Sequence, residues 1–478
     1  MAPLVDRPGA FQLSDIYLLS YTSADSAGKL TRLNIRELVQ DINIYEDIEG
    51  DFLSGDIQLS DSGNIIQSFP LTGFERIEFY FRSPGTTKGF DFSVATGHPM
   101  FVYALENRQE VNPRFQVYSL KFCSLETLKN NQIRVSSAFA TSIDEMVMRV
   151  CKEQLETKKD VFIEETSGTH KFVIPRLQPI DTIDFLAGNA VSKNFDNSGF
   201  LFYETAYGFN FKSYESLFCL KDGSPREVKA HYSPKVKNVM TTGTEGKEIY
   251  DLQSVEEYRV LSQYDTLGNL MEGVYSSRLI SVDAFSKTFS ENDFDYTKDY
   301  GKHAHLEMDP NGGIRDDNGI LPIFNYSKGK RFSEFPDGVL FYQTDTSKVH
   351  DTHELPNNTQ ITQKRESQDR ALNSLVIQIT VPGTTTINVG DIVHFSMPKH
   401  APDTPTDVKD TDKYLTGRYL IVTVRHHISS INKRHTMVMK LVKDSFNISY
   451  PEEDMDLFTN NEDDKGEIYA QYQIDESI

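Results

Sequence analysis

The chain has 478 residues, with 70 Asp and Glu against 49 Lys and Arg, a formal charge of −21. That excess argues against a nucleic-acid binder, since phosphate contacts are made by clustered Lys and Arg. Cys123, Cys151 and Cys219 are odd in number and lack C-x-x-C spacing, which indicates neither a disulfide framework nor a zinc cluster and fits a reducing cytosol.

No apolar run approaches the roughly 18 residues of a membrane span. The start "MAPLVDRPGAF" carries Asp6 where a signal peptide needs a basic and then an apolar stretch, so a soluble chain not secreted by that route is expected. Length gives a prior of about three domains. With 31 Phe, 23 Tyr and no Trp, and many short Thr/Val/Ile runs broken by Gly, Asn and Asp, the chain reads as β-rich.

Six strands are expected first: "LVQDINIYEDI", "GDIQLSD", "ERIEFYFRS", "FDFSVAT", "MFVYALEN" and "RFQVYSLKFCS", with turn signals at the spacing of a barrel or sandwich. In the first of these, alternation puts Asp41, Asn43, Tyr45 and Asp47 on one face and Ile42, Ile44 and Ile48 on the other. An α/β segment follows. "TSIDEMVMRVCKEQLE" has Ser142 and Glu145 in capping-box spacing and apolar residues at helical intervals. "PIDTIDFLAGNAVS" gives a second helix, and "GFLFYETAYGFNFKS" a hairpin turning near Tyr207-Gly208.

"EEYRVLSQYD" and "GVYSSRLISVDAF" return to strand, and 292–366 is a long polar region without periodicity. Strands resume at "LNSLVIQITVP" and "TINVGDIVHFSM"; the latter faintly echoes "PLTGFERIEFYF". The last element is a hairpin, "GRYLIVTVRHHISSINKRHTMVMKLVKD", with Leu420, Val422, Val424, His426 and Ile428 on one face. Pairing Val424 with Met437 puts His426 opposite His435. His426 and His427 point to opposite faces and cannot share an ion; two imidazoles alone make a poor zinc site. Residues 451–478 hold ten acids and only Lys465, with Leu457, Phe458, Ile468, Tyr469 and Tyr472 interleaved: a solvated tail, or one that docks a partner.

Site chemistry is present only in fragments. "TTGTEGKE" lacks the first Gly and the Ser/Thr of a phosphate loop, and "DPNGGIRDDNG" lacks the ligand ladder of a calcium loop. His303 and His305, with Glu307 in phase, are the best metal candidates, on one face if the segment is a strand, and no fourth ligand is evident. There is no G-x-S-x-G elbow and no marked carboxylate pair, so neither a catalytic residue nor a cofactor is expected.

Taken together, "LVQDINIYEDIEGDFLSGDIQLSDSGNII", "PLTGFERIEFYF", "GFLFYETAYGFNFKSYESL", "GRYLIVTVRHHI" and "MVMKLVKDSF" resemble the central baseplate hub proteins of contractile-tailed bacteriophages. That family is related in fold to late-control D proteins and to the hub portion of type VI secretion spikes. The resemblance implies a mainly β fold with an α/β module: two tail-tube-like antiparallel β-barrel domains plus inserted domains. The implied boundaries are 1–122 for the first barrel, 123–220 for the α/β module, 221–291 with 367–450 for the second barrel, 292–366 for an insertion and 451–478 for the acidic tail.

It further implies a non-enzymatic homotrimer in the virion, assembled in the host cytoplasm. Six barrels in three chains would match a sixfold tail tube above and a threefold cell-puncturing spike below. Tail tube protein, spike protein and baseplate wedge proteins are the implied partners; DNA only transits, without sequence-specific binding. On that reading acids, Asp41 and Asp47 among them, dominate the channel. The alternatives are a type VI secretion or phage-tail-like bacteriocin component, a cell-wall-cleaving enzyme, or a receptor-binding adhesin.

Overall fold

A computed structural model describes residues 8–24, 30–234, 253–307, 332–344, 358–399 and 411–446, apart from positions 70, 113, 196, 284–285, 300–301 and 413. The tail expected over 451–478 lies outside the described residues. The fold is mainly β with an α/β module, as expected. Among the described residues, four apolar cores define its parts.

In the first part the strands run in the order Val39–Asp47, Ser54–Asp61, Phe115–Ser124, Met100–Asn112, Arg76–Arg82, Tyr17–Ala24 and Leu30–Asn34. The last leads straight back to the first through Ile35, whose amide donates to Ile16 O at 2.9 Å. The sheet thus curls around one core in which Ile42, Ile44, Ile57, Phe81, Phe90, Leu120 and Phe122 are fully buried. Each such side chain contributes about 1.5–3 kcal/mol.

The second part is a circuit. Glu257–Ser262 pairs with Leu375–Pro382, which pairs with Arg434–Lys443, then Gly417–Ser429, Ile392–Phe395 and Val228–Pro234. Val228–Pro234 pairs in turn with Ser254–Val255, which runs on into Glu257–Ser262, so the pairing returns to its start. Two of these contacts, those of Val228–Pro234, are parallel; the rest are antiparallel.

Between the two sits the α/β module. A three-stranded sheet (Val161–Ile163, Gly208–Ser213, Phe200–Thr205) packs with helices Ile143–Arg149 and Pro179–Ala187. The hairpin turns at Tyr207-Gly208, where Gly208 has φ 138° and a Cβ would run into the Asp160 carbonyl. The capping box expected at Ser142 and Glu145 does not form. Thr166 instead accepts the Asp144 amide at 3.0 Å, and the reciprocal box is made at Gln178 and Asp181.

The fourth part departs from the expected boundaries. Ser276–Asp283, expected in the second barrel, pairs with Thr288–Asp295 and Leu340–Thr344 in a separate three-stranded sheet. One face of that sheet buries Leu279 and Phe294 against the helix Asn358–Leu372. The helix lies partly in the region expected to be aperiodic, and Gln363 anchors it by donating to Ser277 O at 2.9 Å.

Candidate functional site: the joint and its polar face

The strand Gly417–Ser429 changes partners along its length. Gly417–Leu420 pairs with Ile392–Phe395 of the second part, whereas Thr423–Ser429 pairs with Asp41–Asp47 of the first. A register shift between Ile421 and Thr423 marks the changeover. A bulge bends a strand and re-aims its edge, and here it lets one strand serve both sheets. The C-terminal hairpin therefore welds the two β parts within one chain.

Its register differs from expectation by two residues. His426 stands opposite Met437, and Ile428 opposite His435. The histidines still meet diagonally: His426 Nδ1 lies 3.1 Å from His435 Nε2, both rings fully buried and stacked. Phe90 meets His426 edge-on and Phe81 meets His435 likewise, both from the first part. The His435 amide donates to Gly9 O, and its carbonyl accepts from Gly383 N. The outer nitrogens, His426 Nε2 and His435 Nδ1, have no hydrogen-bond partner. Burial pushes His426 down to about 3; burial, then the neighbouring His426 and His427, hold His435 well below the ordinary imidazole value.

Glu46, in phase with Ile42, Ile44 and Ile48, is buried on the apolar face of its strand. Its carboxylate accepts the Ala206 amide of the module at 2.8 Å and the Val389 amide of the second part at 3.2 Å, so one side chain of the first part joins all three. Burial raises it to about 7, since two amides only partly replace water. The signal for it in the sequence is a charged residue inside an apolar alternation.

A second buried cluster seals the module against the first part. Lys159 Nζ lies 2.6 Å from Glu126 Oε2 and 2.5 Å from Glu204 Oε1, all three buried. Glu204 also accepts from Leu53 N and Ser124 Oγ. Burial alone would lower Lys159, but Glu204 and Glu126 outweigh it and hold the ammonium charged. Burial, with Glu126 adding to it, raises Glu204, as expected when two carboxylates share one cation.

The opposite face of the weld is polar. Asp41, Asn43, Tyr45 and Asp47 align in register with His427, Arg425 and Thr423 on one side and with Gln58 and Asp56 on the other. The row continues to Lys440 and Lys121. Asp47 is exposed, and Asp41 is half-buried with His427 Nε2 at 3.4 Å. Asp56 accepts from Asn43 Nδ2 at 2.9 Å and Tyr45 OH at 2.8 Å; Arg425 donates to Asn43; Lys121 pairs with Glu106 at 2.7 Å. The face is mixed in charge rather than purely acidic.

His303, His305 and Glu307 do not lie on a strand, and each engages a different partner. His303 Nδ1 lies 3.3 Å from Glu215, His305 Nδ1 lies 2.8 Å from Asp444, and Glu307 pairs with Lys443 at 3.0 Å while accepting the Arg418 amide. The three fasten this segment to the second part and the module. Among the described residues no group of three or more His, Cys, Asp or Glu is placed to hold a metal ion.

The fold and this joint define a class: two β parts, one a closed circuit, fused through a shared strand around an α/β module. No family model matches the chain. It is 21% identical over 409 residues to a probable baseplate hub protein of Vibrio phage KVP40, covering 83% of this chain and 88% of the relative. Among solved structures it is similar to a tail protein from Neisseria meningitidis MC58 (TM-score 0.49, 11% identity), over 91% of this chain and 97% of that one. It is also similar to the 43 kDa tail protein of prophage MuSo2 from Shewanella oneidensis (TM-score 0.48, 11% identity), over 91% and 99%.

Proposed function

We propose that this chain is the central structural hub of a contractile-tail baseplate, a non-enzymatic homotrimer that adapts a sixfold tail tube to a threefold spike. The observation that carries the reading is the shared strand: it fixes two β parts side by side in one rigid chain. Three such chains present six units to a sixfold ring, and head-to-tail contacts whose rotation closes give rings. Similarity to a named baseplate hub protein along most of both chains supports it. Tail tube and spike proteins are then its partners, with wedge proteins at the periphery.

In this arrangement the polar face bearing Asp41 and Asp47 is turned to the channel. Exposed carboxylates repel duplex DNA, and Lys121 is paired with Glu106; Arg425, bonded to the neutral Asn43 amide, and Lys440 are the cations in the row that the acids must outweigh. Native mass spectrometry of the chain with its spike protein tests the assembly: three hub copies per complex are expected, and a stable dimer or hexamer would count against it. Replacing Asp41 and Asp47 together by Lys leaves assembly intact and slows DNA ejection, most at low salt; ejection unchanged at every ionic strength would remove this face from the channel.

A further inference from the structure

Among the described residues, the inserted three-stranded sheet has one covered face and one bare one. On the bare side, alternation and register bring together Ile280 and Val282 of the central strand, Phe289 of one neighbour, and Leu340 and Tyr342 of the other. Phe289 is 68% exposed and Tyr342 72%. Nothing among the described residues covers them. Other sheets expose single apolar side chains such as Val111 and Val173; here Val282, Phe289, Leu340 and Tyr342 are exposed together on one face, and such an aligned patch marks a contact surface.

The charge around the stripe says what kind of contact. Arg278, at one end of the stripe in the same row as Asp293 and Leu340, is a cation ringed by three carboxylates: Asp293 at 2.7 Å, Asp337 at 2.6 Å and Glu291 at 4.0 Å. All three are about half exposed or more. The cluster carries a surplus of two negative charges, on a chain already at −21. A face-to-face contact with a second copy would set acid against acid, which disfavours self-association there.

We propose that this face docks a different, basic protein of the same assembly, one presenting Lys or Arg beside apolar side chains. The apolar stripe supplies the buried centre of the contact, and Glu291 and Asp337 meet the partner's cations at its rim. The proposal rests on the hub reading for the assembly in which the partner is found.

The test uses whole particles in which Tyr342, or separately Phe289, is replaced by the photo-crosslinking amino acid benzoylphenylalanine. Exposed Phe74 of the first part serves as the reference position. Irradiation is expected to give a single heterologous adduct from both sheet positions, mapped to a peptide containing Lys or Arg. Glu291→Lys with Asp337→Lys should cut its yield by about tenfold or more while the chain is still incorporated; the neutral pair Glu291→Gln and Asp337→Asn should cut it less. Adducts confined to the same chain or to a second copy, or no adduct beyond that at Phe74, in particles that contain the chain would overturn the proposal. Particles lacking the chain altogether would sink the hub reading, and this proposal with it.

Discussion

Two seams hold this chain together, and they use opposite chemistry at the same depth. Where the C-terminal hairpin meets the first part, the buried imidazoles are neutral: His426 and His435 satisfy only each other and are otherwise walled by Phe81 and Phe90. Where the module meets the first part, the buried groups are charged and multiply bonded, with Lys159 between Glu126 and Glu204. A neutral imidazole pair tolerates an apolar wall, whereas buried ions persist only with counterions and further hydrogen bonds. The first seam is therefore sensitive to protonation and the second to loss of a partner.

The largest expected effect follows from the second seam. Lys159→Met strands two carboxylates in the interior and should cost about 3–5 kcal/mol in urea unfolding; a loss below about 1 kcal/mol would mean that water reaches the cluster. Glu46, beside that seam, gives an effect of similar size with a pH signature. Its folded value of about 7 is raised from the ordinary 4.5, so its contribution is fully present below about 4.5 and is lost as pH rises through 7, by about 3 kcal/mol. Glu46→Gln keeps an acceptor for the two amides and should flatten stability across that window. An unchanged slope would show that Glu46 is not the titrating group.

The first seam responds to pH in the opposite sense. Imidazoles depressed below 6.5 contribute stability that is present above 6.5 and is lost as pH falls, toward about 3 for His426. Paired His426→Phe and His435→Leu variants should lose less stability between pH 6.5 and 4 than the parent, followed by chemical unfolding at each pH. Packing at this seam is tight as well. Gly383→Ala would drive a methyl into the His435 ring and should cost about 1–3 kcal/mol. The smallest effect is on the polar face: Lys121→Met breaks a half-exposed, solvent-screened pair with Glu106 and should leave the urea unfolding midpoint essentially unchanged.

The strands were legible because alternation with a period of two survives in runs such as Ile42–Ile48 and Val422–Ile428. The hairpin register was not, because the turn fixes it: Ser429 pairs with Arg434, the loop takes Ser430 to Lys433, and Lys433 adopts a left-handed φ of 50°. The helix Asn358–Leu372 escaped because it is polar nearly all round and is held by tertiary bonds from Gln363 and Ser367 rather than by an apolar stripe. Alternation shows Asp41 and Asp47 on the face opposite Ile42, Ile44 and Ile48, yet Arg425 and Lys121 beside them come from other strands, which a single strand's pattern cannot reveal.

The most direct test of the hub reading is an image of the assembled particle, reconstructed with this chain tagged. The account predicts tag density around the tail axis, in three copies, between tube and spike. Density at the periphery of the baseplate, or in six copies, would contradict it.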